Sequence, residues 1–142
     1  MTKISLTKVL QIVAGITGIG IGGALLFTPV AFEASAGIDV GENISLLSEL
    51  RAFGGSIFFG GTLVLSGAFV PALSEFSLVL SSLFYTSIGI GRCVGIVLDG
   101  MPAESLVLAM AAELVIGGLS MYALFAHRKR SQSTREVIAS AA

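Results

Sequence analysis

Charge is scarce in this sequence. Of 142 residues, eight are Lys or Arg and nine are Asp or Glu, 12% in all, about half the ~25% share of an ordinary soluble domain. So few ionised side chains cannot clothe a surface that faces water. An excess of positive charge is also missing: the formal net charge is −1, which excludes the basic footprint of a nucleic-acid-binding protein. There is one cysteine, Cys93, and one histidine, His127. A lone thiol excludes a disulfide framework and any multi-cysteine metal site, and no metal or cofactor is expected. What is plentiful is apolar. Hydrophobic residues make up 54% of the chain and the mean hydropathy is +0.95. The expected partner is therefore the lipid bilayer, and the expected class is an integral membrane protein.

A hydrocarbon core about 30 Å thick takes about 20 apolar residues per helical crossing. Four stretches qualify, at about residues 9–27, 50–70, 76–98 and 103–125. Because lipid offers no partners to backbone amides, each must be a helix or a strand of a closed barrel. Barrel strands would alternate over about ten residues, whereas these runs are continuous. The links are short after the second and third runs. Pro71 to Glu75 forms one link, and Asp99-Gly100-Met101-Pro102 has turn chemistry. Short links make neighbouring helices antiparallel. The fold expected is all-α, an up-down four-helix bundle over residues 9–126 with flanking segments 1–8 and 127–142.

Orientation follows from the basic residues. Lys3 and Lys8 precede the first run, and His127, Arg128, Lys129 and Arg130 follow the fourth. The link from Pro29 to Ser48 holds Glu33, Asp39 and Glu42 and no basic residue. The positive-inside tendency then puts both termini in the cytoplasm and the acidic link outside. The polar segment from Ser131 to Ala142 reads as a loose tail with a short helical piece near Glu136 to Ile138. A signal peptide cleaved after Ala34-Ser35-Ala36 is a rival reading. The apolar run is too long for it, and Pro29, Phe32 and Glu33 intervene before the site.

Small residues recur at four-residue spacing, which lets helices approach closely in lipid. The first run has Ala14, Gly18 and Gly22, the second Ala52, Ser56 and Gly60, the third Ser87, Gly91 and Gly95, and the fourth Ala109, Glu113 and Gly117. Packing within one chain is the simpler use of Gly18, Gly22, Gly91, Gly95 and Gly117. A first helix with glycine on more than one face could also meet another copy or a larger membrane complex. Gly18, Gly20 and Gly23 satisfy a dinucleotide-binding spacing. That site needs a strand before the glycines and a helix after them; here the apolar run passes straight through, and no such site is expected.

The informative residues are ions inside the runs. An Arg or Asp near the centre of a span costs about 2.5–3.5 kcal/mol, so it must be paired, solvated or used. Arg92 lies in the third run with Asp99 two turns further on, and Tyr85 and Gly89 share that stripe. Glu113 lies about ten residues into the fourth run, near the midplane. Glu49 and Arg51 stand at the outer mouth of the second run, two residues apart and pointing apart. Glu104 suits the start of the fourth helix as a capping charge. Depth suggests a network of Arg51, Arg92, Asp99, Glu113 and Glu49, with Arg92 on Glu113 and Arg51 reaching Asp99 or the turn beyond it. It either fixes helix register or forms an outward-facing polar pocket.

Two of these segments carry a family likeness. Glu49-Leu50-Arg51-Ala52-Phe53-Gly54-Gly55 resembles a signature that opens the second helix in a family of small bacterial four-span proteins. That family carries a domain-of-unknown-function label. Gly91-Arg92, six further residues, and Asp99-Gly100-Met101-Pro102 resemble its second signature, and Glu113 resembles a carboxylate in its last helix. Phe53 stands where tyrosine is more usual, so no hydroxyl there belongs to a site. The likeness spans about residues 9 to 126. It implies a multi-pass bundle of the bacterial inner membrane, distantly like the DoxX group, and no established activity.

Three functions compete. The first is a non-enzymatic accessory or self-associating membrane component. The second is a binder or transporter of a small anionic or amphipathic ligand such as a lipid, a quinone or a small anion. Carriers generally have repeats and broken helices, which four short spans do not supply. The third, catalysis, lacks a convergent nucleophile, base and orienting group. Cys93 reads as a packing residue, and His127 belongs to the basic border.

Overall fold

The computed structural model describes residues 5–140. Lys3 with the rest of residues 1–4, the last two residues, and the side chains of Arg130 and of residues 134–140 lie outside the described part. Five α-helices follow one another: α1 Leu6–Phe27, α2 Pro29–Ser35, α3 Ile44–Ser66, α4 Ser74–Asp99 and α5 Glu104–Ser140. A single 3-10 turn, Pro71–Leu73, precedes α4. The described residues contain no strand, so the glycines at 18, 20 and 23 lie inside a helix and not at a phosphate-binding turn.

Four helices are long. Of these, α1, the stretch Pro71–Asp99 and the stretch Glu104–Ser133 are long and apolar enough to cross a membrane. Helix α3 has 23 residues, enough length for a crossing. Glu49, Arg51 and its glycines, serines and threonine keep its most apolar stretch below those of the other three. Large hydrophobic side chains cover the outside of the bundle, among them Phe59, Leu83, Val97, Leu108 and Phe125. In water such a surface would aggregate; against acyl chains it carries no penalty.

Several boundaries depart from the hydropathy pattern. The second long helix occupies 44–66 rather than 50–70. Its start is set by Asn43, whose side chain accepts a hydrogen bond from the Leu46 amide at 3.1 Å, a helix cap that hydropathy does not see. Its C-cap is Gly67, where only glycine fits because a Cβ would overlap the Ser77 side chain of α4. The acidic link is not wholly irregular, since Pro29 opens α2 at the position where a proline suits a helix. Pro29 and Val40 are buried and hold the link down. At the other end of α4, Gly100 takes φ +96°, a conformation that favours glycine and ends the helix sharply.

The tail is the largest correction. Residues 127–140 are not loose but continue α5 without a break. No glycine or proline follows Gly118, and half of residues 127–140 are alanine, arginine, lysine, glutamine or glutamate, all strong helix formers.

The helices assemble as two close pairs. Helix α1 lies against α3 through glycine. Gly18 stands where a Cβ would be 3.0 Å from the Gly61 Cα, and Gly61 where it would be 2.7 Å from the Ile19 amide nitrogen. Gly15 and Gly22 face Leu65 and the backbone of Phe58 in the same seam, and Gly54 faces Leu26. Helix α4 lies against α5, with Gly89 on Leu114 and Gly117 on Thr86. The two pairs meet in the half of the bundle nearer the chain termini. Ala14, Val64 and Tyr85 form one buried cluster there, and Leu78, Ala123 and Leu124 another. Polar stitches reinforce the meeting. Gln11 Nε2 donates to Ser77 Oγ at 2.6 Å and to the Ser74 carbonyl at 3.0 Å. Arg128 Nε meets Glu75 Oε1 at 2.8 Å. Toward the other end the pairs separate.

Candidate functional site

Where the pairs separate, all four long helices and α2 enclose a cavity of about 330 Å³. That is the lower end of the ~300–1,000 Å³ range of ligand pockets. Its walls are mostly apolar: Leu25 from α1, Phe53 and Ile57 from α3, Phe84 and Ile88 from α4, and Ala109 from α5. Tyr85 and Gly18 line its inner end, and Glu33, Ser35 and Ile38 its outer end. The Tyr85 hydroxyl donates to the Ala14 carbonyl at 2.5 Å, so the ring is fixed as the floor and joins the two helix pairs.

The charged part of the wall is Arg92 with Glu113. Arg92 Nε stands 3.0 Å from Glu113 Oε2 and 3.2 Å from Oε1. Seven residues separate Arg92 from the end of α4, and nine separate Glu113 from the start of α5, so both lie about 10–14 Å below the adjoining turn. Equal depth on neighbouring antiparallel helices is what lets them meet. The Glu113 side chain is 11% exposed and that of Arg92 35%; the carboxylate is inside the wall and the guanidinium reaches past it. Among the described residues no hydrogen bond engages the two terminal nitrogens of Arg92.

The wider network does not form. Arg51 is on α3, but its Nη1 donates to the carbonyl oxygens of Leu26 at 2.5 Å and Phe27 at 3.4 Å. The glycine seam brings α3 so close to α1 that Arg51 lies beside the last turn of that helix, whose unpaired carbonyls attract a cation. Asp99 and Glu49 are exposed, with no side-chain hydrogen bond or ion pair among the described residues. Depth along the membrane predicts the Arg92 contact but not the choice Arg51 makes, because its partner is backbone.

The glycine positions divide in the same manner. Gly18, Gly22 and Gly117 lie at helix contacts, whereas Gly91 has nothing within 4 Å of a notional Cβ and Gly95 has only the Asp99 side chain, at 3.9 Å. The α4 contact is made two residues earlier, at Gly89. On α3 the contact face is Gly54, Ile57 and Gly61, while Ala52 and Ser56 are exposed and Gly60 is open. Spacing fixes a period but not which face turns inward.

Two further lining residues were not singled out. Glu33 sits within α2, where a charged residue among Phe32, Ala34 and Ser35 read as part of an exposed link. Phe53 read only as a substitute for tyrosine. Cys93 Sγ lies 3.4 Å from Met110 Sδ, a packing contact of α4 with α5 outside the cavity lining.

No curated protein and no solved structure matches the chain. The family model described as a domain of unknown function (DUF4345) matches residues 6–124. That stretch includes α1 through α4, most of α5 and every residue of the cavity wall, and the chain belongs to this family.

Proposed function

We propose that the protein is a non-enzymatic, four-span component of the bacterial inner membrane that holds a small amphipathic molecule within its bundle. The supporting observation is the cavity itself. If the Arg92–Glu113 pair served only to fix register, close side-chain packing around it would be expected; instead it forms part of the wall of about 330 Å³ of open space. In this reading both termini are cytoplasmic. The basic residues His127, Arg128 and Lys129 and the acidic link with Glu33, Asp39 and Glu42 lie at opposite ends of the bundle, as the positive-inside tendency requires. The pocket then opens toward the outer face. Helix α3 crosses with its charged first turns near that surface.

The test is to extract the protein from its membrane with styrene–maleic acid copolymer and compare co-purifying small molecules with those of the bulk membrane. A discrete amphiphile enriched with the wild type and lost in Ala109→Leu, which fills the cavity, supports the reading. Identical profiles for the two proteins would reject it.

A second reading, an accessory or self-associating component, draws on a different observation. Gly20, Gly60 and Gly118 have open space around them, and open glycines on a lipid-facing surface allow another helix to approach closely.

A further inference from the structure

Resting on the reading that the cavity holds a ligand, we infer that its occupant is an uncharged single-chain amphiphile with a hydroxyl-bearing head, of the monoacylglycerol type. The charge arrangement carries this. One guanidinium and two carboxylates line the space, those of Arg92, Glu33 and Glu113. Glu113 is buried and already compensated by Arg92 at 3.0 Å. Glu33 sits at the outer end and is partly exposed, so it keeps contact with water. An anionic head would pass one carboxylate to reach another and would find the only cation already paired. A cationic head beside Glu113 would be pressed against Arg92, and at the outer end its one carboxylate partner, Glu33, is partly exposed and already solvated. Burying an ion without a counter-ion is costly in a low-dielectric wall.

A neutral head meets no such penalty. Its oxygens can accept from the terminal nitrogens of Arg92, which make no hydrogen bond among the described residues, and its hydroxyls can donate to the Glu113 carboxylate. The remainder of the lining, from Leu25, Phe53, Ile57, Phe84 and Ile88, suits a hydrocarbon chain. A volume of about 330 Å³ accommodates part of one chain and its head, and not a two-chain phospholipid.

The experiment uses the full chain in phosphatidylcholine nanodiscs and three probes with the same diazirine-bearing C18 chain: a 1-monoacylglycerol, a fatty acid and an alkyl-trimethylammonium. Photolabelling is mapped by peptide mass spectrometry. The expected result is labelling of cavity-lining peptides by the monoacylglycerol at least about tenfold above either ion, equivalent to about 1.4 kcal/mol. Ala109→Leu should reduce that labelling by a similar factor. Glu113→Gln, which frees the Arg92 charge, should shift preference to the fatty acid. Fatty acid or ammonium labelling as strong as that of the glyceride in the wild type overturns the head-group inference and leaves the binding reading standing. No probe labelling above the Ala109→Leu background overturns the binding reading itself.

Discussion

Arg92 Nε lies within 3.2 Å of both carboxylate oxygens of Glu113, joining α4 to α5 well inside the bundle. Breaking a buried pair by removing one partner costs about 3–5 kcal/mol, whereas replacing both by apolar residues is often neutral. Arg92 is one-third exposed, so Arg92→Leu or Glu113→Leu alone should lose about 2–3 kcal/mol. The double substitution should return to within about 1 kcal/mol of the wild type. Denaturant unfolding in detergent micelles measures all three. A double variant as unstable as either single one would refute the compensation.

The seam of α1 on α3 makes a sharper distinction among glycines. Gly54→Ala and Gly61→Ala place a methyl 2.6 Å and 2.7 Å from backbone nitrogen of α1, and overpacking of this kind costs about 1–3 kcal/mol. Gly60→Ala enters open space on the same helix and should be neutral or gain up to about 1 kcal/mol in helix propensity. Thermal unfolding of the three variants side by side decides it; equal losses at positions 60 and 61 would contradict the seam.

Tyr85→Phe removes the hydroxyl that bonds Ala14, and Gln11→Leu removes the donor to Ser74 and Ser77. Interhelical hydrogen bonds in membranes average about 0.6 kcal/mol, so each change should be mild. Both join the α1–α3 pair to the α4–α5 pair, and the double variant should loosen their contact more than either seam. Limited proteolysis of the Pro71–Leu73 turn reads this out: faster cleavage than in the parent is expected, and an unchanged rate would count against it.

Topology can be read by chemistry at single cysteines in a Cys93→Ala background. Gly41→Cys should react with a membrane-impermeant maleimide in intact cells, while Ala72→Cys and Ser131→Cys should react only after lysis. Labelling of positions 41 and 72 from the same side would mean that α3 does not cross.

The four long helices were legible because uninterrupted apolar runs have few alternatives in lipid. Their ends were less so. Asn43 capping Leu46 and Gly67 yielding to Ser77 are local contacts that an average over 20 residues blurs. The Arg92–Glu113 contact was readable because two ions at one depth on adjacent antiparallel helices have little choice of partner. Arg51 was misread because its acceptors are the carbonyls of Leu26 and Phe27, and every residue carries a carbonyl. The α3 and α4 glycines were misassigned for a related reason. A four-residue spacing of small residues occurs on more than one face of α3, and only the partner helix selects Gly61 over Gly60.

Helix α5 has 37 residues, a rod of about 55 Å in a slab about 30 Å thick. Roughly 25 Å of it must stand clear of the hydrocarbon, beginning near the Arg128–Glu75 ion pair. With no glycine or proline after Gly118, that mast has no built-in hinge. A few degrees of tilt at the level of Glu113 would swing its far tip by several ångströms, so small adjustments in the bundle are magnified along the helix.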